Sequence, residues 1–184
     1  GAGLLLIAAR PAESRVEAVL VERLLERLGL HDVGVDRGAV RERADAARHL
    51  KGGVTHVVIS APSPDADFTV IAPVNGAELD PARHRVISNA SCTAHATAPM
   101  LRILEEAFGL EHAGMSTVHV VTNDQRLLDL SHKDRRRGRA AFQSIIPTTT
   151  SSIGAVQQVL PWLKGRITGY SVRVPTQNVA LVDL

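Results

Sequence analysis

The residues best suited to chemistry in this sequence are Ser91, Cys92 and Thr93, which follow a predicted strand and begin a predicted helix. The first backbone N–H groups of a helix have no partner within it, and the helix dipole adds positive potential there. A thiolate is an anion, so this position favours the thiolate of Cys92 and makes it a nucleophile at neutral pH. The alternative is a buried, inert cysteine.

The overall composition excludes several classes of protein. The 184 residues are 45% hydrophobic and 22% charged, which is typical of a folded globular protein. Cys92 is the single cysteine, so it forms no internal disulfide, and one thiol is too few for a structural zinc site. No apolar run reaches the roughly 18 residues of a membrane-spanning helix, and no secretory signal is evident. We therefore expect a cytoplasmic protein that binds no metal and no membrane.

A series of short motifs in fixed order resembles the glyceraldehyde-3-phosphate dehydrogenase family. The first two motifs are Asn-Ala-Ser-Cys-Thr at 89–93 and Thr-Val-His-Val-Val-Thr-Asn-Asp at 117–124. His119 follows Cys92 by 27 positions, which is the family's separation. The resemblance extends over about residues 32–184, with further matches at 57–62, 74–75, 125–129, 132–134, 145–150, 160–165, 173–176 and 178–184.

The resemblance implies covalent catalysis by a Cys and His pair. Cys92 would add to an aldehyde or thioester carbonyl, forming a thiohemiacetal or thioacyl intermediate, and His119 would act as base and then as acid. For His119 alone, a satisfied strand histidine is the alternative, but the matched spacing favours the pair. His95 lies one turn after Cys92, where the family usually has Asn. Two interpretations of His95 stay open: a second titrating neighbour of the thiol, or a solvated helix residue.

Six polar residues match the family's two phosphate sites. The substrate phosphate site is matched by Thr122, Asp124 and Arg173, and the inorganic phosphate site by Ser91, Thr93 and Thr150. Arginine forks and hydroxyl groups suit phosphate oxygens, whereas the alternative is ordinary polarity or an ion pair of Arg173 with Asp183. Ser-Ser-Ile-Gly at 151–154 replaces the family's Gly-Ala-Ala-Lys, which removes a small residue and a cation beside the second site.

The family's glycine-rich turn for a dinucleotide does not follow the first predicted strand. Those glycines let the backbone approach a pyrophosphate, but this chain has Arg-Pro-Ala-Glu at 10–13. Pro11 removes an N–H donor and Glu13 would repel phosphate. Arg-Gly-Ala at 37–39 also replaces the family's Ala-Thr-Gly near the nicotinamide side. We therefore expect no cofactor for this chain, or NAD if the sequence is incomplete.

Five basic residues cluster in the long polar segment 123–139, namely Lys133, Arg135, Arg136, Arg137 and Arg139. Such a cluster alone suggests nucleic acid, but the segment resembles the family's S-shaped loop at subunit contacts. Lys and Arg number only 21 against 19 Asp and Glu, and the few aromatic residues are scattered, so we expect no nucleic acid partner. A strand at 179–184 would leave a sheet edge exposed, which favours a homo-oligomer.

The apolar pattern predicts an α/β fold. The first part alternates strands and helices and predicts a reduced parallel sheet, half of a Rossmann-like fold. Its strands are expected at 2–9, 33–36, 55–60, 68–73 and 86–88, and its helices at 11–28 and 41–50. A helix at 92–108, with apolar residues Met100, Leu101, Leu104 and Phe108 on one face, then leads to a truncated catalytic layer with antiparallel strands at 117–121, 170–174 and 179–184.

We divide the chain into a nucleotide-binding-like region without the dinucleotide fingerprint, 1–89, and a catalytic-domain-like region, 90–184. The interpretation that follows is a dehydrogenase relative repurposed for cofactor-independent chemistry at Cys92 and His119. Its substrate would be a small anionic carbonyl compound or thioester, in a biosynthetic pathway. The alternatives are an NAD-dependent phosphorylating aldehyde dehydrogenase seen as an incomplete chain, and a non-catalytic scaffold that binds a partner through the basic loop.

Overall fold

The computed structural model describes residues 4–8, 32–36 and 42–184, the first two segments as backbone only. The described residues form an α/β fold with one parallel sheet and one mixed sheet, which confirms the predicted class. The helix predicted at 11–28 lies outside the described residues. The division of the chain into the regions 1–89 and 90–184 stays a prediction.

The first sheet contains five strands: β1 (Leu4–Ala8), β2 (Asp32–Asp36), β3 (Val54–Ile59), β4 (Phe68–Thr69) and β5 (Val86–Ser88). Their spatial order is β2-β1-β3-β5-β4, and every neighbouring pair is parallel. Helix α1 (Arg43–Ala47) packs on β3 and β5 through the buried Ala46. Val57 and Ile59 in β3 are fully buried, as expected for parallel strands covered by other elements.

The strand predicted at 68–73 is shorter than expected. β4 ends at Thr69, and helix α2 (Ala72–Asn75) follows it. Pro73 lies in the first turn of α2, where a backbone N–H has no acceptor within the helix, so the N–H that proline lacks is not needed. The buried Asn75 amide donates from Nδ2 to the Thr69 carbonyl at 2.9 Å and so joins the new helix to the end of the strand.

The second sheet contains four strands: β6 (Ala113–Val120), β7 (Ile146–Thr148), β8 (Ile167–Val174) and β9 (Ala180–Asp183). Their order is β7-β8-β6-β9. The two outer pairs are antiparallel, as predicted, but the central pair, β6 with β8, is parallel. The chain returns from β6 to β8 through residues 121–166, which include helix α4 (Ser152–Val159). A connection of this length lets the second strand run in the same direction as the first.

Helix α3 (Cys92–Phe108) packs against α4 and the second sheet, but not through the apolar residues that predicted it. Of those, only Leu101 is buried, and Phe108 is 82% exposed. The buried side of α3 carries small residues, Thr93, Ala94, Thr97 and Ala98, besides Leu101. Small side chains let a helix backbone approach its neighbours closely, so the contact face is not the most apolar one.

Gln158, near the end of α4, connects the second half of the chain to the first sheet. Its Oε1 accepts a hydrogen bond from Thr69 Oγ1 in β4 at 2.9 Å. Its Nε2 donates to the carbonyl groups of Ser63 and Pro64, at 3.4 and 3.2 Å, in the segment after β3. One amide therefore holds α4 against two parts of the parallel sheet.

In the part of the chain that the structure describes, no helix is long and apolar enough to span a membrane. Nor do three or more of its His, Cys, Asp or Glu side chains come together in a group that could hold a metal ion.

Candidate active site

Cys92 is the first residue of α3, and its side chain is exposed. Ser91 caps the helix, because its backbone is extended and its Oγ accepts a hydrogen bond from the Ala94 N–H at 3.1 Å. The positive end of the helix dipole therefore lies at the thiol, as the sequence predicted. An exposed sulfur in this position is accessible to a substrate from solvent.

The turn that presents Cys92 is held by the side chain of Ser88, at the end of β5. Ser88 Oγ donates to the Ala61 carbonyl at 2.8 Å. The same oxygen accepts from the N–H groups of Ser63 and Ala90, each at 3.2 Å. Ala90 has a φ of 54°, in the left-handed region that residues with a side chain rarely adopt. The Ser88 bonds hold this strained backbone, and strain of this kind is often found at functional sites.

His119 lies in β6 with only 8% of its surface exposed, and its ring points to the thiol. The distance from His119 Nε2 to Cys92 Sγ is 3.4 Å. On its other side, His119 Nδ1 lies 2.6 Å from the Val120 carbonyl oxygen and 2.5 Å from Arg173 Nη1. The structure therefore brings the two residues of the predicted pair into contact, and the contacts at Nδ1 hold the imidazole in this orientation.

The surroundings of His119 disfavour the charged form of its imidazole. Burial lowers the pKa of His119 from its usual value, because a charged ring would lose its hydration. The Val120 carbonyl acts against this by raising the pKa, and the positive charge of Arg173 lowers it further. The net direction is downward, so protonation of this ring is disfavoured in the folded protein.

Arg173 lies in β8, directly beside His119 in the parallel register. Its Nη1 donates to the Val120 carbonyl at 2.9 Å, and its buried Nε has no hydrogen-bond partner within the described protein. Burial lowers the pKa of Arg173, while the charge of Cys92 raises it. The bonds of Arg173 run to His119 and Val120, so the alternative ion pair with Asp183 is not found. An unused, buried donor of this kind suits an incoming anion.

Asp124 is paired with a residue that the sequence did not single out as part of the site. Arg137 Nη1 forms a short hydrogen-bonded ion pair with Asp124 Oδ2. Arg137 Nη2 also donates to Thr149 Oγ1 at 2.7 Å, and only 16% of its side chain is exposed. The charges of both Arg137 and Asp124 act on Arg173, so the three groups form one charged cluster. The prediction assigned Arg137 to the basic surface cluster, and no charge pattern distinguishes it from its neighbours there.

The other predicted anion-binding residues are held by local bonds. The backbone N–H and the hydroxyl of Thr122 both donate to Gln125 Oε1, at 2.9 and 3.1 Å. Thr93 is buried, and its hydroxyl lies 4.0 Å from Cys92 Sγ. Thr122 is therefore occupied by an internal partner, whereas the Thr93 hydroxyl lies close to the sulfur of Cys92.

Ser152, the first residue of α4, links two of the predicted phosphate-binding residues. Its hydroxyl lies 3.0 Å from Ser91 Oγ, and its N–H donates to Thr150 Oγ1 at 3.1 Å. The N-terminal ends of α3 and α4 therefore meet at these hydroxyl groups. Ser152 is one of the residues that replace the family's Gly-Ala-Ala-Lys. The sequence therefore indicated only the loss of a small residue and a cation there, and not these hydrogen bonds of Ser152.

His95 is bound to the cap of the nucleophile's helix. Its Nδ1 lies 3.0 Å from the Ser91 carbonyl oxygen, which also accepts the His95 backbone N–H at 2.9 Å. Burial lowers the pKa of His95, and the hydrogen bond to Ser91 raises it. The ring is half-buried and anchored at one nitrogen; its functional role stays a prediction.

Comparison with known proteins identifies the family. A family model described as "Glyceraldehyde 3-phosphate dehydrogenase, C-terminal domain" matches residues 91–184.

The chain belongs to the glyceraldehyde-3-phosphate dehydrogenase family.

Relatives from several bacteria support this assignment. Over 171 residues the chain is 51% identical to a glyceraldehyde-3-phosphate dehydrogenase of Geobacillus stearothermophilus, covering 90% of this chain and 51% of the relative. The enzyme of Streptomyces coelicolor is 47% identical over the same number of residues, with the same two shares. That of Pseudomonas aeruginosa is 45% identical over 174 residues, covering 95% of this chain and 49% of the relative. The chain thus spans about half the length of these glyceraldehyde-3-phosphate dehydrogenases.

The lowered pKa values of His95 and His119 predict how stability depends on pH. Both rings bind protons less readily in the folded than in the unfolded chain, where histidine titrates near 6.5. The unfolded state therefore binds more protons below that pH, and stability falls as the pH decreases. We expect the free energy of unfolding, measured in urea, to be constant above about pH 7 and to decline below about pH 6.5.

The decline should be smaller in His95→Asn and His119→Asn, which each remove one such ring. The matched control is His112→Asn, since His112 is exposed. A wild-type profile that is flat between pH 7 and pH 5, or three variants with the same slope, would contradict the prediction.

The contact between Cys92 and His119 predicts the reactivity of the thiol. Iodoacetamide should alkylate Cys92 faster at pH 7 than it alkylates a small free thiol, because the exposed sulfur lies at a helix N-terminus and 3.4 Å from Nε2 of His119. His119→Asn should slow this reaction about tenfold, since a hydrogen bond of roughly 1.4 kcal/mol to the sulfur is lost. The rate is measured by the mass of the intact protein, with His112→Asn as the control. Equal rates for the wild type and His119→Asn would show that the contact has no chemical effect.

Proposed function

We propose that this chain carries out the covalent chemistry of the glyceraldehyde-3-phosphate dehydrogenase family, with Cys92 as the nucleophile and His119 as its proton-handling partner. The substrate is a small anionic carbonyl compound or acyl thioester. The observation that supports this most strongly is the 3.4 Å contact between Cys92 Sγ and His119 Nε2 at an exposed helix end. Cysteine nucleophiles are activated in this way by a helix N-terminus and an adjacent imidazole.

The chemistry begins with the thiolate of Cys92. Its sulfur adds to the substrate carbonyl carbon, a C–S bond forms, and the carbonyl oxygen takes a proton to give a thiohemiacetal. With an acyl thioester, the same attack expels the substrate's own thiolate and leaves the acyl group on Cys92. A second nucleophile, such as water or phosphate, then attacks the acyl carbon and restores the thiolate. None of these steps changes an oxidation level, so none of them requires a hydride acceptor.

His119 and the charged cluster around Arg173 serve different parts of this reaction. His119 lies within reach of the sulfur and of an oxygen bound to the carbon it attacks, so it moves or holds the proton there. Arg173 offers its unpartnered Nε, and Arg137 offers a guanidinium with only 16% of its side chain exposed. Two such groups favour a substrate with a phosphate or carboxylate at the end remote from the carbonyl.

The resemblance to dehydrogenases implies NAD, but the residues of this chain do not fit its pyrophosphate. The strand order reverses between β1 and β3, which is where an open parallel sheet binds a dinucleotide. In the sequence, Arg-Pro-Ala-Glu at 10–13 follows β1. Pro11 has no N–H to donate, and Glu13 carries a charge of the same sign as phosphate. We propose that the first sheet is a reduced, Rossmann-like half that has lost this cradle.

A second candidate function is supported by the comparisons. The relatives are named glyceraldehyde-3-phosphate dehydrogenase, and identities near 50% over half their length are compatible with a piece of such an enzyme. In that case the complete protein would oxidise glyceraldehyde 3-phosphate with NAD. Isothermal titration calorimetry with NAD on the complete protein, as its source organism makes it, separates the two candidates, because only the second predicts that the complete protein binds NAD.

The nucleophile itself is tested by covalent capture. Intact mass spectrometry after incubation with small phosphorylated aldehydes and acyl thioesters should show one adduct on the wild type and none on Cys92→Ser. The serine variant keeps the fold, since one small side chain replaces another of similar shape. An adduct on both proteins would exclude Cys92 as the nucleophile. A Cys92 that forms no adduct and reacts no faster than a free thiol would favour a non-catalytic scaffold.

We also propose that the protein is a cytoplasmic homo-oligomer. A reducing compartment keeps an exposed free thiol such as Cys92 available for chemistry. β9 is an edge strand of the second sheet, and Leu181 in it is 61% exposed. On the same face, Val118 is 41% and Tyr170 is 55% exposed. A second copy of the chain would cover this apolar face and the open edge.

The oligomer is tested by sedimentation. The wild type should sediment as a dimer or larger assembly whose proportion increases with protein concentration. Leu181→Glu places a charge on the exposed face and should shift the protein toward the monomer. Lys164→Glu, an exposed position after α4, controls for the added charge. A wild type that is monomeric at all concentrations would contradict the proposal.

A further inference from the structure

We infer that Val179 is a positioning residue, whose left-handed backbone leaves the Val120 carbonyl available to the side chains of His119 and Arg173. Val179 immediately precedes β9 and has a φ of 68°. A β-branched residue rarely adopts this conformation, because its Cβ then crowds its own backbone. The catalytic meaning of this role rests on the proposed function.

The side chain of Val179 does not account for its conformation. It is 74% exposed, so packing of this side chain does not hold the backbone in place. Glycine would adopt the same φ without a steric cost. Conformations of this kind persist where the bonds around the residue impose them, and they concentrate at functional sites.

The segment before Val179 is fixed by two hydrogen bonds of Thr176. The Thr176 N–H donates to the Val174 carbonyl at 2.8 Å, at the end of β8. Thr176 Oγ1 donates to the Asn178 carbonyl at 3.4 Å. The chain therefore reaches Val179 with its direction already determined.

The segment after Val179 is fixed by β6. Ala180 is the register partner of His119 in the antiparallel pair β6 and β9. The Val179 carbonyl accepts the Val120 N–H at 3.1 Å, which extends this pairing one position beyond His119. Val179 is thus held to the strand that carries the imidazole, at the residue next to it.

The pairing of Val120 with Val179 is incomplete, and the left-handed backbone is the reason. In a regular antiparallel ladder, two residues that form one N–H···O bond also form a second in the opposite direction. Within the described residues, the Val120 carbonyl accepts no such bond from the Val179 N–H. An extended residue directs its N–H and its carbonyl to the same side of the strand, whereas a residue with a φ of 68° does not.

The carbonyl that the ladder leaves unpaired serves the site instead. The Val120 oxygen accepts a hydrogen bond from Arg173 Nη1 at 2.9 Å and lies 2.6 Å from His119 Nδ1. β8 and β9 lie on opposite sides of β6 in the sheet. A Val120 carbonyl bound to the Val179 N–H would be drawn toward β9, and therefore away from the strand that carries Arg173.

The turn therefore acts on the imidazole through the Val120 carbonyl. His119 Nδ1 contacts this oxygen and Arg173 Nη1, and His119 Nε2 lies 3.4 Å from Cys92 Sγ. If Val179 became extended, the Val120 carbonyl would move into the ladder and the contacts at Nδ1 would weaken. The distance between Nε2 and the sulfur would then no longer be fixed.

The first test measures the incomplete pairing by amide hydrogen exchange with residue resolution, in the complete wild-type protein. Each rate is divided by the rate expected for that amide in an unfolded chain. The hydrogen-bonded Val120 amide should be protected at least about tenfold more than the Val179 amide, the effect of one net hydrogen bond. Equal protection of the two amides would show a regular pair and would overturn the inference.

The second test determines whether the turn acts on the site. Val179→Pro cannot adopt a positive φ, whereas Val179→Gly loses the same exposed side chain and keeps the conformation, so it is the matched control. Val179→Pro should slow alkylation of Cys92 by iodoacetamide about as much as His119→Asn does, roughly tenfold. Val179→Gly should keep the wild-type rate. Equal slowing in both variants would assign the effect to the side chain and contradict the inference.

A double variant separates positioning from general damage to the fold. In the His119→Asn background, Val179→Pro should slow alkylation no further, because the contact that it disturbs is already absent. Slowing by the same factor in both backgrounds would overturn the inference, as would a folded Val179→Pro with the wild-type rate. If Val179→Pro does not fold, the exchange rates of Val120 and Val179 in the wild type decide.

Failure of this inference is distinguishable from failure of the proposed function. If Cys92 is alkylated rapidly and His119→Asn slows the reaction, the proposed pair stands, whatever the rate in Val179→Pro. If Cys92 is no more reactive than a free thiol, the proposed function fails even when the two amides exchange as expected.

Discussion

The parallel pairing of β6 with β8 is the constraint on which the site depends. It places His119 and Arg173 side by side on the inner face of the second sheet, and α3 lies so that Cys92 meets the imidazole there. Because side chains alternate along a strand, a slip of one residue would turn either group to the outer face. The buried residues of the same strands, Met115, Thr117 and Ser171, fix the register against such a slip.

Helix α4 connects the turn that carries Cys92 to the parallel sheet. At its beginning, Ser152 contacts Ser91, the cap of the helix that begins with Cys92. Near its end, Gln158 is bound to Thr69 and to the segment after β3. The two contacts lie about two turns apart on one short helix, so the turn that carries Cys92 and the edge of the parallel sheet cannot move independently. The site is therefore positioned by both sheets, although its reactive groups come from one.

The sequence carried enough information to predict the position of Cys92 at a helix start but not the residues that surround it. A strand, a short turn and a helix around Cys92 are visible locally, because apolar periodicity follows directly from residue types, whereas the cap by Ser91 is a finding of the structure. The contact of His119 with the thiol was accessible only through a resemblance, since no local pattern joins positions 27 apart. The direction of β8 relative to β6 depends on the path of the chain through 121–166, which periodicity does not describe.

Two other features were hidden for different physical reasons. Arg137 is one of five basic residues in a short segment, and only burial against Asp124 separates it from the rest. The contact face of α3 was unexpected because close packing there selects small residues such as Ala94 and Ala98, while the larger apolar ones remain outside. In both cases, whether a side chain is buried depends on the space that the neighbouring elements leave around it, and residue type alone does not predict that space.

The ion pair of Asp124 with Arg137 has a consequence for how an anion enters the site. A lone arginine at the surface must shed its water each time a ligand arrives. Here the guanidinium has already lost most of its hydration during folding, and a carboxylate of the protein itself stands in the place of a ligand oxygen. Binding of any anion to this guanidinium is then an exchange of one negative partner for another. The contact with Asp124 holds the Arg137 side chain in place, so an anion that binds there has to compete with a carboxylate of the protein itself.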